Sequence, residues 1–138
     1  MTPVVIDASA GAEIVTDTRR GRALLRLLPA DADPWVPEHF YAEVLALIRR
    51  QAVVTHVLDE AKARSAVTEL GSWQLRRATV RPLLEAAWAH RHNMTAADAI
   101  YVALAQHIHA AFLTDDHNLA EAPTFPAGVT VLRLPGPR

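Results

Sequence analysis

The stretch PVVIDASA, Pro3 to Ala10, decides the fold. Pro3 to Ile6 is a short apolar run rich in β-branched residues, which reads as a strand. Ser9 stands where a hydroxyl can cap a following helix, so strand then helix is the natural reading. Asp7 therefore falls at the carboxyl end of a strand, beside apolar neighbours, where an ionised carboxylate is unfavourable unless something binds it. Taken alone, an Asx-turn or cap explains Asp7 about as well as chemistry does.

Outward from this stretch the same alternation continues. Leu24, Leu25, Leu27 and Leu28 follow the basic run Arg19 to Arg22 and predict a second helix, closed by Pro29 and the turn-rich ADADP. Trp35 and Val36 form a brief strand. From Glu38 to Gln51, Phe40, Val44, Leu47 and Ile48 share one helical face, with Glu43 on its border. Asp59 to Leu70 reads as a helix stopped by Gly71, and Trp73 to Leu75 as a short strand or extended connection. Thr79 can cap a helix through about Asn93, with Pro82 in its first turn, and Thr95 starts another reaching about His109. Ala110 to Thr114 is a buried strand, Asp116 to Ala120 a helical turn, and Val129 to Leu132 a last strand before a Pro-rich tail. Continuous apolar strands alternating with helices, with no hairpin signal, imply an α/β fold: a mostly parallel sheet covered by helices on both faces. Such sheets place ligands at the carboxyl ends of their strands.

Composition bounds the rest. At 138 residues, 51% hydrophobic and 21% charged, the chain is expected to be one domain over residues 1–138 with a continuous core. A net charge of −1 supplies no global field for nucleic acid, so such binding needs a local patch or a metal that neutralises the acids. Thirteen of the fourteen basic residues are Arg, with Lys62 the single Lys; Arg76, Arg77, Arg19 and Arg20 are read first as solvated side chains. The absence of cysteine excludes disulfides, thiol catalysis and thiolate metal sites. No leader pattern and no membrane-length apolar run is seen, so a soluble, unexported, cytoplasmic protein is expected.

Four acids from well-separated segments carry the candidate chemistry: Asp7, Glu43, Asp98 and Asp116. Glu43 alone reads as a snorkelling or ion-paired group. Asp98 is the only charge between Ala96 and Ala105, in a helix apolar nearly all round, although Thr95 to Asp98 also has capping-box spacing. Asp115 and Asp116 close the apolar strand AAFLT, and one of them is expected to be a turn or cap residue. Ser9 and Thr114 are hydroxyls able to orient a carboxylate. His90 with His92, and His107 with His109, are spaced by two and cannot share a helix face, so they read as surface or cap residues, as does His117. Hard oxygen donors without Cys or a shared-face His pair favour Mg²⁺ or Mn²⁺ over zinc. Crowded carboxylates should repel, raising at least one apparent pKa.

VVIDASA, the acid in EHFYAEVLALIRR, the acid in TAADAIYVALA and the LTDD turn together resemble the PIN-domain ribonucleases of the VapC toxin type, across essentially the whole chain. The resemblance implies a three-layer α/β/α sandwich and a toxin that cleaves single-stranded or looped RNA with Mg²⁺ or Mn²⁺ and a water activated by the metal. By motif position the family's acids fall on Asp7, Glu43, Asp98 and Asp116, with Asp115, Ser9 and Thr114 auxiliary. Asp7 and Asp98 are expected as direct metal ligands, Asp116 through water or a second ion, and Glu43 as ligand or water-orienting group. A VapB-like antitoxin is the implied partner, and a homodimer is allowed. Thr55 to Arg81 carries no motif. A dehalogenase-like phosphatase would want a second Asp at Ser9 and a downstream Lys; an RNase H-like nuclease would open with hairpin-linked strands. The non-enzymatic alternative is an α/β binding module whose acids are caps.

Overall fold

Val4, Val5 and Ile6 have no exposed surface because β1 (Thr2–Ile6) is the middle strand of the sheet, with a parallel partner on each side. The computed structural model describes residues 1–136. The end of the expected Pro-rich tail, Pro137 and Arg138, lies outside the described residues. The remaining strands are β2 (Ala32–Pro37), β3 (Arg76–Ala78), β4 (Ala111–Leu113) and β5 (Val131–Leu132). Their order is β3-β2-β1-β4-β5 and every pairing is parallel, so the sheet is wholly rather than mostly parallel.

Parallel neighbours need crossovers, and helices supply them. α1 (Ala8–Val15) and α2 (Arg19–Arg26) join β1 to β2; α3 (His39–Arg49), a π-helical segment Arg50–Val54 and α4 (Glu60–Ser72) lead to β3. A 3₁₀ turn Arg81–Leu83, α5 (Leu84–Trp88) and α6 (Ala96–His107) lead to β4, and α7 (His117–Ala120) precedes β5. α1 packs on α2, α3 and α4, while α6 packs on α5 and against β1, β2 and β4. This is the three-layer α/β/α arrangement. Gly11 sets the closeness of α1 to α3, since a Cβ there would stand 2.6 Å from the Phe40 ring. No helix among the described residues is long and apolar enough to cross a membrane.

Several elements differ from the sequence reading. Asp7, not Ser9, caps α1: its side chain accepts from the Ala10 N–H, and Ser9 lies inside the first turn. β2 begins at Ala32, within the ADADP read as a turn, because pairing with Thr2 to Val5 of β1 overrides the turn signal. β3 occupies Arg76–Ala78 instead of Trp73 to Leu75, since α4 runs on through Gly71 to Ser72. The helix expected from Thr79 to Asn93 is only the short 3₁₀ turn and α5, and Thr79 is not its cap. Thr95 does cap α6, its Oγ1 accepting the Asp98 N–H at 3.2 Å.

Candidate active site at the carboxyl edge of the sheet

The sheet reverses its winding between β1 and β4, the place where parallel α/β sheets open a crevice beyond their strand ends. Asp7 leaves β1 there, its N–H still bonded to the Leu113 carbonyl at 3.1 Å, and Thr114, Asp115 and Asp116 leave β4 beside it. Two hydroxyls stitch these ends together. Ser9 Oγ donates to Asp7 Oδ1 at 2.7 Å and accepts the Asp115 N–H at 2.9 Å. Thr114 Oγ1 donates to Asp7 Oδ2 and accepts the Asp116 N–H at 3.0 Å. Ser9 and Thr114 thus both donate to the Asp7 carboxylate, one to each oxygen.

Asp7 is 3% exposed and Thr114 fully buried. Burial pushes the Asp7 carboxyl up to about 7; the Ala10 N–H and the Thr114 and Ser9 hydroxyls oppose that rise, and the Asp98 charge adds to it least. Asp98 is also raised, first by burial and then by Asp116 and Glu43, against the lowering influence of the Thr95 bond. The expected elevation is therefore present, but desolvation rather than mutual repulsion is its main cause. These influences tie the four acids into one electrostatic neighbourhood: Asp7 with Asp98, and Asp98 with both Glu43 and Asp116.

Glu43 reaches the same place from α3. Its Oε1 accepts the Tyr101 hydroxyl at 2.7 Å and lies 3.4 Å from His39 Nε2. Asp116 caps α7, accepting the Leu119 N–H at 3.1 Å. Asp115 is a different kind of residue: Arg20 grips it with Nε at 3.2 and 3.1 Å and Nη2 at 2.6 Å, and Arg20 Nη2 also lies 3.2 Å from His117 Nε2. Sequence reasoning missed His39 and Tyr101 in this cluster and gave Arg20 to solvent. His39 is one helical turn before Glu43, a signal that was available; Tyr101 sits one turn after Asp98 but reads as one more apolar residue.

None of the four acids has an Arg or Lys within ion-pair distance among the described residues, whereas Asp17, Asp33, Asp115, Glu38, Glu60 and Glu121 each do. No three His, Cys, Asp or Glu side chains among the described residues stand as a ready cage for a metal ion. Three of the acids instead take donors of their own: hydroxyls and an N–H for Asp7, a phenol for Glu43, an N–H for Asp116. The donor set is nonetheless of the kind that suits a hard divalent cation, being all oxygen and anionic. Asp7 Oδ1 already accepts two bonds and Oδ2 one, so Oδ2 keeps a lone pair for a further ligand.

The PIN-domain family model matches residues 4–124, and the chain belongs to this family. Within it the match is to the VapC group. Ribonuclease VapC12 of Mycobacterium tuberculosis is 34% identical over 119 residues, covering 86% of this chain and 91% of that one. Ribonuclease VapC1 of the same organism is 34% identical over 134 residues, covering 96% of this chain and 100% of its own. Among solved structures, a toxin–antitoxin complex from Klebsiella pneumoniae shares the fold with a TM-score of 0.62 at 15% identity, over 92% of this chain and 95% of that one.

Proposed function

We propose that this chain is the toxin of a VapBC-type toxin–antitoxin pair, an endoribonuclease that hydrolyses RNA phosphodiester bonds with Mg²⁺ or Mn²⁺. The observation that carries the reading is that the charge of Asp98 acts on Asp7, and those of Asp116 and Glu43 on Asp98, beyond the strand ends, with no Arg or Lys partner for any of the four among the described residues, whereas the other strand-end acid, Asp115, has an Arg fork. Its relatives' names as ribonucleases support the activity.

Asp7 through Oδ2, together with Asp98 and Asp116, would hold the cation. A bound divalent ion supplies charge neutralisation and Lewis acidity at the scissile phosphate. Ser9, Thr114 and the Ala10 N–H hold Asp7 in one orientation while leaving Oδ2 room. Glu43, pinned through Oε1, presents Oε2 to orient the attacking water and receive its proton. The Arg20 fork on Asp115 keeps that carboxylate out of the acid cluster and fixes the turn that carries Asp116.

The test is purified protein incubated with total cellular RNA. Discrete cleavage with Mn²⁺, none in EDTA, and none from Asp7→Asn protein is expected; equal cleavage by the Asp7→Asn protein would rule out its role. An antitoxin partner fits the toxin–antitoxin neighbour of this fold, and its site of action would be the cytoplasm, where RNA is made. A homodimer belongs to the same proposal, with exposed Leu84 and Trp88 as apolar surface; sedimentation velocity reads it. One observation favours the binding-module alternative: Asp7 and Asp116 are both helix N-caps. Absence of Mn²⁺ binding would select it.

A further inference from the structure

The Glu43 carboxylate is held from one side only. Tyr101 Oη donates to Oε1 at 2.7 Å, and His39 Nε2 lies 3.4 Å from that same oxygen. No donor among the described residues is bonded to Oε2. Tyr101 is 1% exposed and rises from α6, the helix that carries Asp98 one turn earlier. Burial first, and then the Glu43 carboxylate, raise the Tyr101 phenol, so it stays protonated and can only be the donor in this bond.

His39 completes the arrangement. Its Nε2 lies 3.2 Å from the Ala97 carbonyl oxygen, which can only accept, and this assigns the ring proton to that nitrogen; Glu43 Oε1 stands beside it at 3.4 Å. Its Nδ1 is buried without a hydrogen-bond partner among the described residues. The ring also lies against Tyr101, with centroids 4.6 Å apart at 44°. One imidazole therefore ties α3, which bears Glu43, to the first turn of α6, which bears Asp98. Of the two, Tyr101 donates to Oε1, while His39 stands beside that oxygen and bonds the Ala97 carbonyl.

We infer that Tyr101 and His39 are positioning residues for the cleavage reaction, clamping Glu43 Oε1 so that Oε2 faces the attacking water at a fixed distance from the phosphate that a cation at Asp7 and Asp98 would bind. The inference rests on the ribonuclease reading of the site and adds two residues to it. The clamp acts on the geometry of the water, not on cation binding, so its loss appears in kcat.

The test uses the full chain and an RNA carrying the cleavage site that wild-type protein makes in total cellular RNA, with Mn²⁺ present. Tyr101→Phe is expected to lower kcat about 10–100-fold with KM changed less than about twofold, the usual size of the effect when a supporting hydrogen bond is lost. Mn²⁺ affinity, read by calorimetry, should stay at the wild-type value. His39→Ala should lower kcat in the same way, and His39→Gln, whose amide N–H can replace the imidazole donor, should recover most of the loss. In a Glu43→Gln background, adding Tyr101→Phe should cause no further loss, because both act through one carboxylate. Wild-type kcat in both Tyr101→Phe and His39→Ala overturns the clamp, as does a loss that multiplies with Glu43→Gln or one that arises from weakened Mn²⁺ binding. If wild-type protein cleaves no RNA, or Glu43→Gln protein cleaves like wild type, the site reading itself fails and takes the clamp with it.

Discussion

Asp7 and Asp115 leave adjacent parallel strands within hydrogen-bonding reach of the same Ser9 hydroxyl, yet they are treated in opposite ways. Asp115 receives a bidentate Arg20, the strongest common partner for a carboxylate. Asp7 receives two hydroxyls and a backbone N–H, is almost wholly buried, and has its carboxyl raised to about 7. Among the described residues Arg20 is given to Asp115, while no Arg or Lys pairs with Asp7, Glu43, Asp98 or Asp116; on the proposed reading that leaves their charge to a bound cation. The difference separates an acid tied into the structure by an Arg from acids that the proposed function assigns to a cation.

The contrast breaks most visibly in activity. Asp98→Asn or Asp7→Asn should lower RNA cleavage by roughly 10³-fold or more, since each removes an anionic oxygen from the proposed cation pocket, while circular dichroism shows the fold retained. Asn keeps a carbonyl oxygen for the Ala10 N–H, so the cap of α1 survives the change at Asp7.

Stability against pH sharpens the same contrast. Because the Asp7 carboxyl is raised from 3.8 to about 7, the folded chain binds this proton more tightly than the unfolded chain. Its contribution is present in full below the unfolded value, declines as pH rises through the window up to about 7, and is gone above it. In EDTA, the wild-type protein should therefore lose roughly 2–4 kcal/mol between pH 4 and pH 8 from this group, a loss absent from Asp7→Asn and offset by Mn²⁺ at the upper end. Urea denaturation across pH checks it. A flat difference between wild type and Asp7→Asn would contradict the burial argument.

At Asp115 the expected effect is smaller and concerns stability. Arg20→Ala leaves a carboxylate only 12% exposed without its fork, but Arg20 is itself 40% exposed and water takes part of its place, so about 1–2 kcal/mol should be lost. Glu121→Gln, at an exposed ion pair with Arg133, should shift stability by no more than about 0.5 kcal/mol. A cost at Glu121 equal to that at Arg20 would show that burial does not rank these pairs.

The strand ends and acidic positions were legible because their signals are local. An apolar run that stops at Asp7, and a helix apolar on nearly every face except Asp98, are visible without any partner. What escaped depends on contacts across the fold. Tyr101 and Glu43 are 58 residues apart, Arg20 and Asp115 are 95 apart, and nothing local distinguishes either basic or phenolic group from its neighbours. β3 escaped for another reason: Arg76–Ala78 lacks β-branched residues and sits at the sheet's edge, where pairing with Trp35 to Pro37 decides its conformation. Asp7 and Ser9 both read as possible caps of α1, because Asp and Ser are equally good caps, and only the backbone shows which one precedes the helix.

The most direct measurement of the cation pocket is calorimetric titration of the metal-free protein with Mn²⁺ near neutral pH, alongside Asp7→Asn, Asp98→Asn and Glu121→Gln. Saturable binding in the millimolar range or tighter, lost in the first two variants and unchanged in the third, is the predicted result. No heat through millimolar Mn²⁺, or binding that survives both Asp7→Asn and Asp98→Asn, would contradict it.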